Sequence, residues 1–270
     1  MKHLFKSSML TAILASAFSV MMPVAYAVED ATAASPHTLT TNIGFFTDYT
    51  YRGISLARER SAVQGGIDYS HSSGLYLGTW ATNVNKQALY GNTIELDIYG
   101  GYVHTLADQL DLNVGFMHYF YPDNYRPVSN TGDKGASPNT TELNAALTYK
   151  HFTLKHSYTV SNFFGINDNY GGNGGSRGSG YTELNVNYKL PFADINLALH
   201  VGRQVVHNYS KANYVDWLVG LNKDFAIGSS AGWNAGLNYT TTNADDGWYV
   251  DANNWETGND RLIGYIKRSF

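Results

Sequence analysis

Hydrophobic and polar residues alternate with a period of two along most of the chain, and the first clear run spans residues 39–52. Leu39, Ile43 and Phe45 share one face of this run, whereas Asn42 lies on the other face. Successive side chains of a β-strand point to opposite faces, so the run predicts a strand with one apolar and one polar face. One such strand fits a soluble sheet as well as a membrane barrel, and the number of repeats must decide between them.

Twelve segments repeat this alternation, and short and long connections alternate between them. The predicted strands are 39–52, 61–71, 74–84, 92–105, 110–121, 140–150, 152–162, 180–190, 194–206, 213–223, 231–241 and 259–270. The longest loops are 122–139, 161–179 and 242–258. Short turns on one side and long loops on the other are typical of outer-membrane barrels, whose short turns face the periplasm. The pattern therefore predicts an all-β fold, a transmembrane antiparallel β-barrel of about 12 strands over residues 39–270.

The segment before the barrel has the features of an export signal. Two lysines precede an apolar stretch at residues 9–20, and small residues at Ala25 and Ala27 are typical of a cleavage site. We therefore expect residues 1–27 to be a cleaved signal peptide and residues 28–38 to be a short periplasmic segment. No later run reaches the roughly 20 apolar residues that a membrane helix needs.

Aromatic residues near the ends of the predicted strands favour the barrel further, because outer-membrane barrels carry aromatic girdles at both lipid interfaces. The expected girdle residues are Tyr49, Tyr51, Tyr119, Tyr121, Tyr149, Phe152, Tyr188, Phe192, Trp233 and Tyr239. The chain ends with Phe270 after an alternating strand, which resembles the C-terminal signal of bacterial outer-membrane proteins. We expect Phe270 to engage the barrel assembly machinery and Arg268 to snorkel to the interface.

Composition narrows the function classes. Of the 270 residues 15% are charged, 14% are aromatic and none is cysteine. Soluble domains usually have about a quarter of their residues charged, and a chain without cysteine forms neither disulfides nor thiolate metal sites. The net charge of −4 includes no basic run, which argues against nucleic acid as a partner. We expect no cofactor and no metal. Calcium binding by the acidic loop 245–256 is the alternative, but its spacing matches no EF-hand, and we expect this loop to be solvated.

If the apolar faces contact lipid, the polar faces line the interior. The pore-lining candidates are Asp48, Asp68, Glu95, Asp97, Glu142, Glu183, Asp216, Lys155 and Lys189. Counting from the predicted turns places all of these carboxylates except Asp68 in the outer half, and it places Lys150, Lys155, Lys189 and Lys267 in the lower half. Carboxylates in a narrow aqueous pore concentrate cations, which predicts a cation preference. The alternative is that the charges pair across strands and fill a narrow barrel.

Loop 122–139 is a candidate for folding inward as a constriction, with a solvated loop as the alternative. Two other function classes also remain open: a barrel enzyme that acts on lipid, and a non-conducting structural or adhesin barrel. A serine hydrolase needs its base beside the nucleophile. His71 and Ser73 have suitable spacing but lie at a predicted periplasmic turn, whereas the adjacent His156 and Ser157 point to opposite faces. No catalytic residue is therefore predicted.

Five stretches of the chain resemble a known family. They are residues 42–55 (NIGFFTDYTYRGIS), 64–69 (QGGIDY), 73–80 (SGLYLGTW), 95–102 (ELDIYGGY) and 121–122 (YP). With these stretches the chain is similar to the Gcw_chp family, also called the TorF family of porins. The resemblance implies a channel in the bacterial outer membrane and leaves its substrate open. From the barrel architecture we expect passive diffusion of small hydrophilic solutes, with lipid and lipopolysaccharide around the barrel. It carries over no binding residue.

Overall fold

Antiparallel strands form a closed barrel in the computed structural model, which describes residues 35–89, 91–123, 137–167, 174–191, 194–251 and 253–270. Twelve strands make up the barrel, each paired with the strands before and after it in the chain, and the last strand closes onto the first. This arrangement confirms the fold predicted from the alternation. No helix among the described residues is long and apolar enough to cross a membrane.

The strands lie close to the predicted segments, with one exception. In chain order they are β1 (His37–Phe46), β2 (Thr50–Tyr51), β3 (Ile54–Ser55), β4 (Ala62–His71), β5 (Leu75–Asn83), β6 (Ile94–Ala107), β7 (Leu110–Phe120), β8 (Thr140–Tyr149), β9 (Phe152–Thr159), β10 (Gly180–Lys189), β11 (Asn196–Val205), β12 (Tyr214–Ile227), β13 (Ser230–Thr242) and β14 (Arg261–Ser269). The short strands β2 and β3 pair only with each other and are not part of the barrel wall.

The exception is the first predicted strand, which leaves the wall after Phe46 instead of continuing to residue 52. Arg52 and Gly53 both have positive φ, at 49° and 80°, as the two central residues of a type I′ hairpin turn require. The chain therefore reverses at Arg52 and forms the β2–β3 hairpin, in which Thr50 pairs with Ser55. The turn interrupts a run whose alternation by itself predicted a continuous strand.

A belt of large apolar side chains faces outward around the barrel. Leu143, Val219 and Leu237 each expose about half of their surface, at 50–55%. A continuous belt of exposed apolar side chains indicates contact with an apolar partner such as lipid. The outward-facing aromatic residues Tyr149 and Phe152 extend this surface toward the turn between β8 and β9.

Four of the predicted girdle residues lie inside the protein instead. Tyr49, Tyr51, Tyr119 and Tyr121 are buried, so their assignment to a lipid interface is wrong. Tyr49 and Tyr51 belong to the segment that leaves the wall, whereas Tyr119 lies on the inward face of β7. Aromatic residues at strand ends occur on both faces of the wall, and a position near an end does not distinguish the two. Phe192 lies outside the described residues.

The long loops pack together over one end of the barrel. Their buried apolar cluster includes Leu56, Leu89, Phe163, Tyr209 and Tyr214. We call this end the outer end because the long loops of outer-membrane barrels face outward. Signal peptide residues 1–27 and most of the predicted periplasmic segment lie outside the described part of the chain, so these boundaries stay predictions.

Candidate functional site in the barrel interior

The interior is occupied at its outer end by residues 48–57, which we call the plug. All ten residues are buried. The plug leaves the wall at the end of β1 and returns to it at the start of β4, and Phe46 and Ala62 form the last pair of the β1–β4 ladder. Residues 48–52, which were predicted to continue the first wall strand, therefore lie inside the outer part of the lumen.

Arg52 connects the plug to the opposite wall. Its Nη2 donates to Glu142 Oε2 at 2.7 Å and its Nη1 donates to Glu142 Oε1 at 3.1 Å, while Nη1 also donates to Gln204 Oε1 at 2.8 Å. The guanidinium lies 4.1 Å from the centre of the Tyr181 ring. Glu142, Tyr181 and Gln204 belong to β8, β10 and β11, which lie across the barrel from β1 in the strand order. A bidentate arginine–carboxylate pair fixes both distance and orientation, so the plug spans the lumen.

The tip of the plug makes a close approach to the wall at Gly53. A Cβ at this position would lie 2.5 Å from Thr242 Cγ2 and 2.9 Å from Asp216 Cβ, and the backbone has φ of +80°. Both the space and the backbone angle favour glycine. The hairpin tip therefore contacts the upper ends of β12 and β13 directly.

Asp48 holds the base of the plug. Its Oδ1 accepts hydrogen bonds from Ser55 Oγ at 3.0 Å and from the backbone N–H groups of Tyr49 at 2.9 Å and Glu59 at 3.1 Å. Arg261 Nε lies 3.3 Å from Oδ2. Burial raises the pKa of Asp48 to about 6, although the Ser55 hydrogen bond and the Arg261 charge act in the opposite direction.

Three further carboxylates face the interior without a nearby cation. Glu95 accepts hydrogen bonds from the hydroxyls of Tyr49 at 2.5 Å and Tyr121 at 2.6 Å. Asp68 accepts one from a tyrosine hydroxyl of β6 at 2.6 Å. Asp97 is 1% exposed, and neither of its carboxylate oxygens has a hydrogen-bond partner among the described residues. No lysine, arginine or histidine of the described chain forms an ion pair with any of the three, so charge pairing does not account for all of the acidic candidates.

Three of the remaining candidates, Lys155, Glu183 and Asp216, contact side chains of opposite type on the other side of the barrel. Lys155 Nζ lies 3.6 Å from Glu183 Oε1, and His200 Nε2 lies 2.9 Å from Asp216 Oδ2. Lys189 pairs with Asp194 at 2.5 Å near the turn after β10, where both side chains are exposed.

The predicted separation of acidic and basic residues by height is wrong for one pair. Lys155 and Glu183 are direct partners in the β9–β10 ladder, so they lie at the same level of the barrel. Counting residues from each turn did not include the register between the strands, which fixes their relative heights.

A polar chamber lies beneath the plug. It encloses about 950 Å³ of space between its lining atoms, counted out to its open mouth, and it extends from Arg52 and Gly53 past Asn238 to Lys267. Lys267 is two residues before the end of β14, so the chamber reaches into the periplasmic half. The plug thus occupies the outer part of the interior, and the chamber lies below it.

The plug, residues 48–57, narrows the lumen in the structure, whereas the sequence predicted a constriction by loop 122–139. Residues 124–136 of the candidate loop 122–139 lie outside the described residues, so an inward fold of that loop stays a prediction. The plug was missed because Arg52-Gly53 is not one of the dipeptides typical of two-residue hairpin turns, so Gly53 alone marked the turn in the sequence.

The acidic loop 245–256 packs against the base of the plug. Asp251 is buried, and its Oδ2 lies 3.0 Å from Arg58 Nε. The centre of the Trp255 ring lies 5.6 Å from the guanidinium of Arg58 and 4.9 Å from that of Arg261. The prediction of a solvated loop is therefore wrong for Asp251 and Trp255. No three His, Asp or Glu side chains of the described chain are placed to hold a metal ion together.

The two histidine–serine pairs differ in geometry. His71 Nδ1 lies 2.8 Å from Ser73 Oγ, but the backbone N–H of Ser73 also points at this nitrogen, at 3.1 Å. This is the geometry of an exposed turn rather than of a nucleophile directed at a substrate. His156 is exposed and Ser157 is buried, so these two side chains point to opposite faces as predicted.

Comparisons with known proteins identify the family and the fold. Residues 30–270 match the model of a family described as a bacterial protein of unknown function, Gcw_chp. No curated protein matches the chain. The KdgM porin is similar over 86% of this chain and 99% of its own, with a TM-score of 0.51 and 9% identity. A structure of KdgM porin in complex with disordered oligogalacturonate gives the same values. The NanC porin has a TM-score of 0.48 and 10% identity over 86% of this chain and 99% of its own.

Proposed function

Because the chain belongs to the Gcw_chp family, for which no function is known, we propose from its geometry that it is a channel for passive diffusion of small hydrophilic solutes. The observation that carries this proposal is the barrel interior: a chamber lined by polar side chains such as Asn185, Asn222 and Asn238 lies inside a closed wall whose outer face is apolar. Water and polar solutes find hydrogen-bonding groups along such a lumen and none on the lipid side. Passage through it requires no chemical step.

The proposed location is the bacterial outer membrane. The apolar belt supports contact with lipid, and lipopolysaccharide would surround the loop end. Export through a cleaved signal peptide and recognition of Phe270 by the barrel assembly machinery belong to this proposal. KdgM, which shares the fold at 9% identity, is named as a porin. That name supports the proposal that this protein is a channel, but it does not identify a solute.

We further propose that the channel prefers cations. The buried charged side chains of the described residues are seven carboxylates, Asp48, Asp68, Glu95, Asp97, Glu142, Asp216 and Asp251, and three cations, Arg52, Lys155 and Arg261. An excess of negative charge inside low-dielectric walls raises the local cation concentration. Salt should weaken the preference, because the Debye length falls from about 10 Å at 0.1 M to about 3 Å at 1 M.

Conductance of the purified protein in planar bilayers tests the function. We expect discrete ohmic steps and, in a salt gradient, a reversal potential of the sign that cation entry produces. Protein that folds as a barrel but never conducts, even when the plug is loosened by substitution, would count against a channel and in favour of an adhesin or an enzyme.

A further inference from the structure

We propose that His200 is held in its doubly protonated form and that its positive charge sets how strongly the channel prefers cations. This proposal rests on the channel function proposed above and names a residue that determines its ion selectivity. His200 belongs to β11, and its side chain is 16% exposed and lines the chamber beneath the plug. A charge at this position acts directly on ions inside the chamber.

One ring nitrogen of His200 faces a carboxylate. Its Nε2 lies 2.9 Å from Asp216 Oδ2 on the neighbouring strand β12. An ionised carboxylate can only accept hydrogen bonds, so Nε2 carries the hydrogen of this contact. The Tyr181 hydroxyl donates its own hydrogen to Asp216 Oδ1 at 2.8 Å, and its oxygen is a second acceptor 2.9 Å from Nε2.

The other ring nitrogen of His200 faces an amide oxygen. Asn185 is its direct partner in the β10–β11 ladder, and Asn185 Oδ1 lies 2.7 Å from His200 Nδ1. The orientation of this amide is fixed, because its Nδ2 donates to Glu183 Oε2 at 2.8 Å. Turning the amide over would place its oxygen against that carboxylate. Asn185 Oδ1 can only accept, so Nδ1 also carries a hydrogen.

A histidine ring that donates from both nitrogens is an imidazolium and carries a full positive charge. The same contacts could form with a neutral ring only if Asp216 held the proton instead. Imidazole is a much stronger base than a carboxylate, and the hydrogen bond from Tyr181 stabilises the ionised form of Asp216. The proton therefore belongs to His200, and the contact with Asp216 is an ion pair.

The protonated ring balances the charge on this side of the barrel. The network contains three ion pairs, Arg52–Glu142, Lys155–Glu183 and His200–Asp216. With His200 protonated, the three carboxylates are matched by three cations. Loss of the His200 proton leaves Asp216 without its cation and gives the network an excess of one negative charge.

An extra negative charge at the chamber wall raises the local concentration of cations, because the low-dielectric wall focuses the field into the lumen. The cation preference should therefore be restrained while His200 is protonated and should increase when the proton leaves. The charged or titratable groups around His200 are Tyr181 and Glu183 of β10, Asp216 of β12, Lys155 of β9 and Arg52 of the plug. Lys267 of β14 lines the same chamber, so the effect of His200 must be measured against variants at position 200.

Nitrogen-15 NMR of the imidazole rings in the folded barrel tests the protonation directly. At pH 7 both ring nitrogens of His200 should give signals typical of protonated nitrogen, whereas a neutral ring gives one protonated and one unprotonated nitrogen. His200→Gln removes the signal and thereby assigns it. His156→Gln, at an exposed position on the outer face of β9, is the matched control and should leave the His200 signal in place.

Reversal potentials in a salt gradient test the effect on selectivity. His200→Lys keeps a positive charge at this position, whereas His200→Gln has none. At pH 7 the cation-to-anion permeability ratio of His200→Gln should exceed that of His200→Lys by about twofold or more, and His156→Gln should have the ratio of the parent. As the pH rises, the parent should change from the ratio of the lysine variant to that of the glutamine variant.

The pH at which the parent changes must coincide with the pH at which NMR shows the proton leaving His200. This comparison needs no substitution, so it decides the question if the variants at position 200 do not fold. Heat-modifiable mobility in SDS gels verifies the folding of each variant.

The outcomes separate this proposal from the channel function. A neutral His200 ring at pH 7 would overturn the assignment of the proton, and equal permeability ratios for His200→Lys and His200→Gln would overturn the role in selectivity. The channel function would stand in both cases. Folded protein that never conducts would overturn the channel function and the role in selectivity together, while the NMR signal would still decide where the proton lies.

Discussion

Arg52 and Glu142 form a buried pair, each with less than a tenth of its surface exposed. Removing one member of such a pair costs about 3–5 kcal/mol because the other charge is left without a partner. In this protein the plug also packs into the apolar cluster of the loops through Tyr51, Ile54 and Leu56. A substitution at Arg52 or Glu142 should therefore appear as a loss of stability of the folded protein.

Urea unfolding in lipid vesicles can measure that effect. Glu142→Gln should lower the free energy of unfolding by about 3 kcal/mol, because the Arg52 guanidinium is left buried without its carboxylate partner. Asp108→Asn, at an exposed turn, serves as the control. Equal free energies of unfolding for the parent and for Glu142→Gln would contradict a stabilising role of this pair.

Asp48 gives a pH dependence that can be assigned to one residue. Its pKa of about 6 lies above the ordinary value of 3.8, so the folded protein binds this proton more tightly than the unfolded chain does. The resulting stabilisation is present below about pH 4 and is lost as the pH rises through 6, an effect of about 3 kcal/mol.

The comparison with Asp48→Asn isolates this contribution, because asparagine does not titrate. Between pH 4 and pH 7 the free energy of unfolding of the parent should fall relative to that of the variant, as measured by urea titration in lipid vesicles. A difference between the two proteins that is constant with pH, or that changes in the other direction, would contradict the assignment.

At the scale of the strand, the two faces of β8 should respond differently to the same substitution. Leu143 points outward and is 52% exposed, and its neighbour Asn144 points inward. Lysine at a lipid-facing position near the midplane should cost about 2–4 kcal/mol, whereas a lumen position should tolerate it. Leu143→Lys and Asn144→Lys can be compared by urea unfolding in vesicles, and equal losses would contradict the assignment of faces.

Twelve strand segments could be predicted because a period of two is a local property. Each strand needs only its own side chains to define an apolar and a polar face. The ladder from β4 to β14 therefore agrees with the predicted segments within a few residues at most ends. The error at residues 47–52 has the same origin, since alternation continues through a hairpin that has left the wall.

On the scale of the whole molecule, the closing seam between β1 and β14 depends on the C-terminus. The ladder pairs Asn42–Phe46 with 265–269, and Phe270 adds two backbone hydrogen bonds to Thr41, at 2.8 and 3.2 Å. Deleting Phe270 removes both bonds and the terminal aromatic ring. The yield of heat-modifiable barrel in the membrane fraction should fall, while Phe270→Tyr should assemble normally. Normal assembly of the deletion variant would refute this role.

The sequence by itself determined the number of strands, the lipid-facing and inward faces of the strands, and the polar character of the interior. These properties follow from local spacing and from the sign of the free energy of transferring each side chain from water to lipid. Only the tertiary structure decided which carboxylates are paired, which tyrosines face inward and what closes the lumen. Glu183 meets Lys155 through strand register, and Arg52 meets Glu142 across the barrel after 90 residues of chain. Such contacts depend on distances that no local pattern encodes, since they are fixed only when the barrel closes.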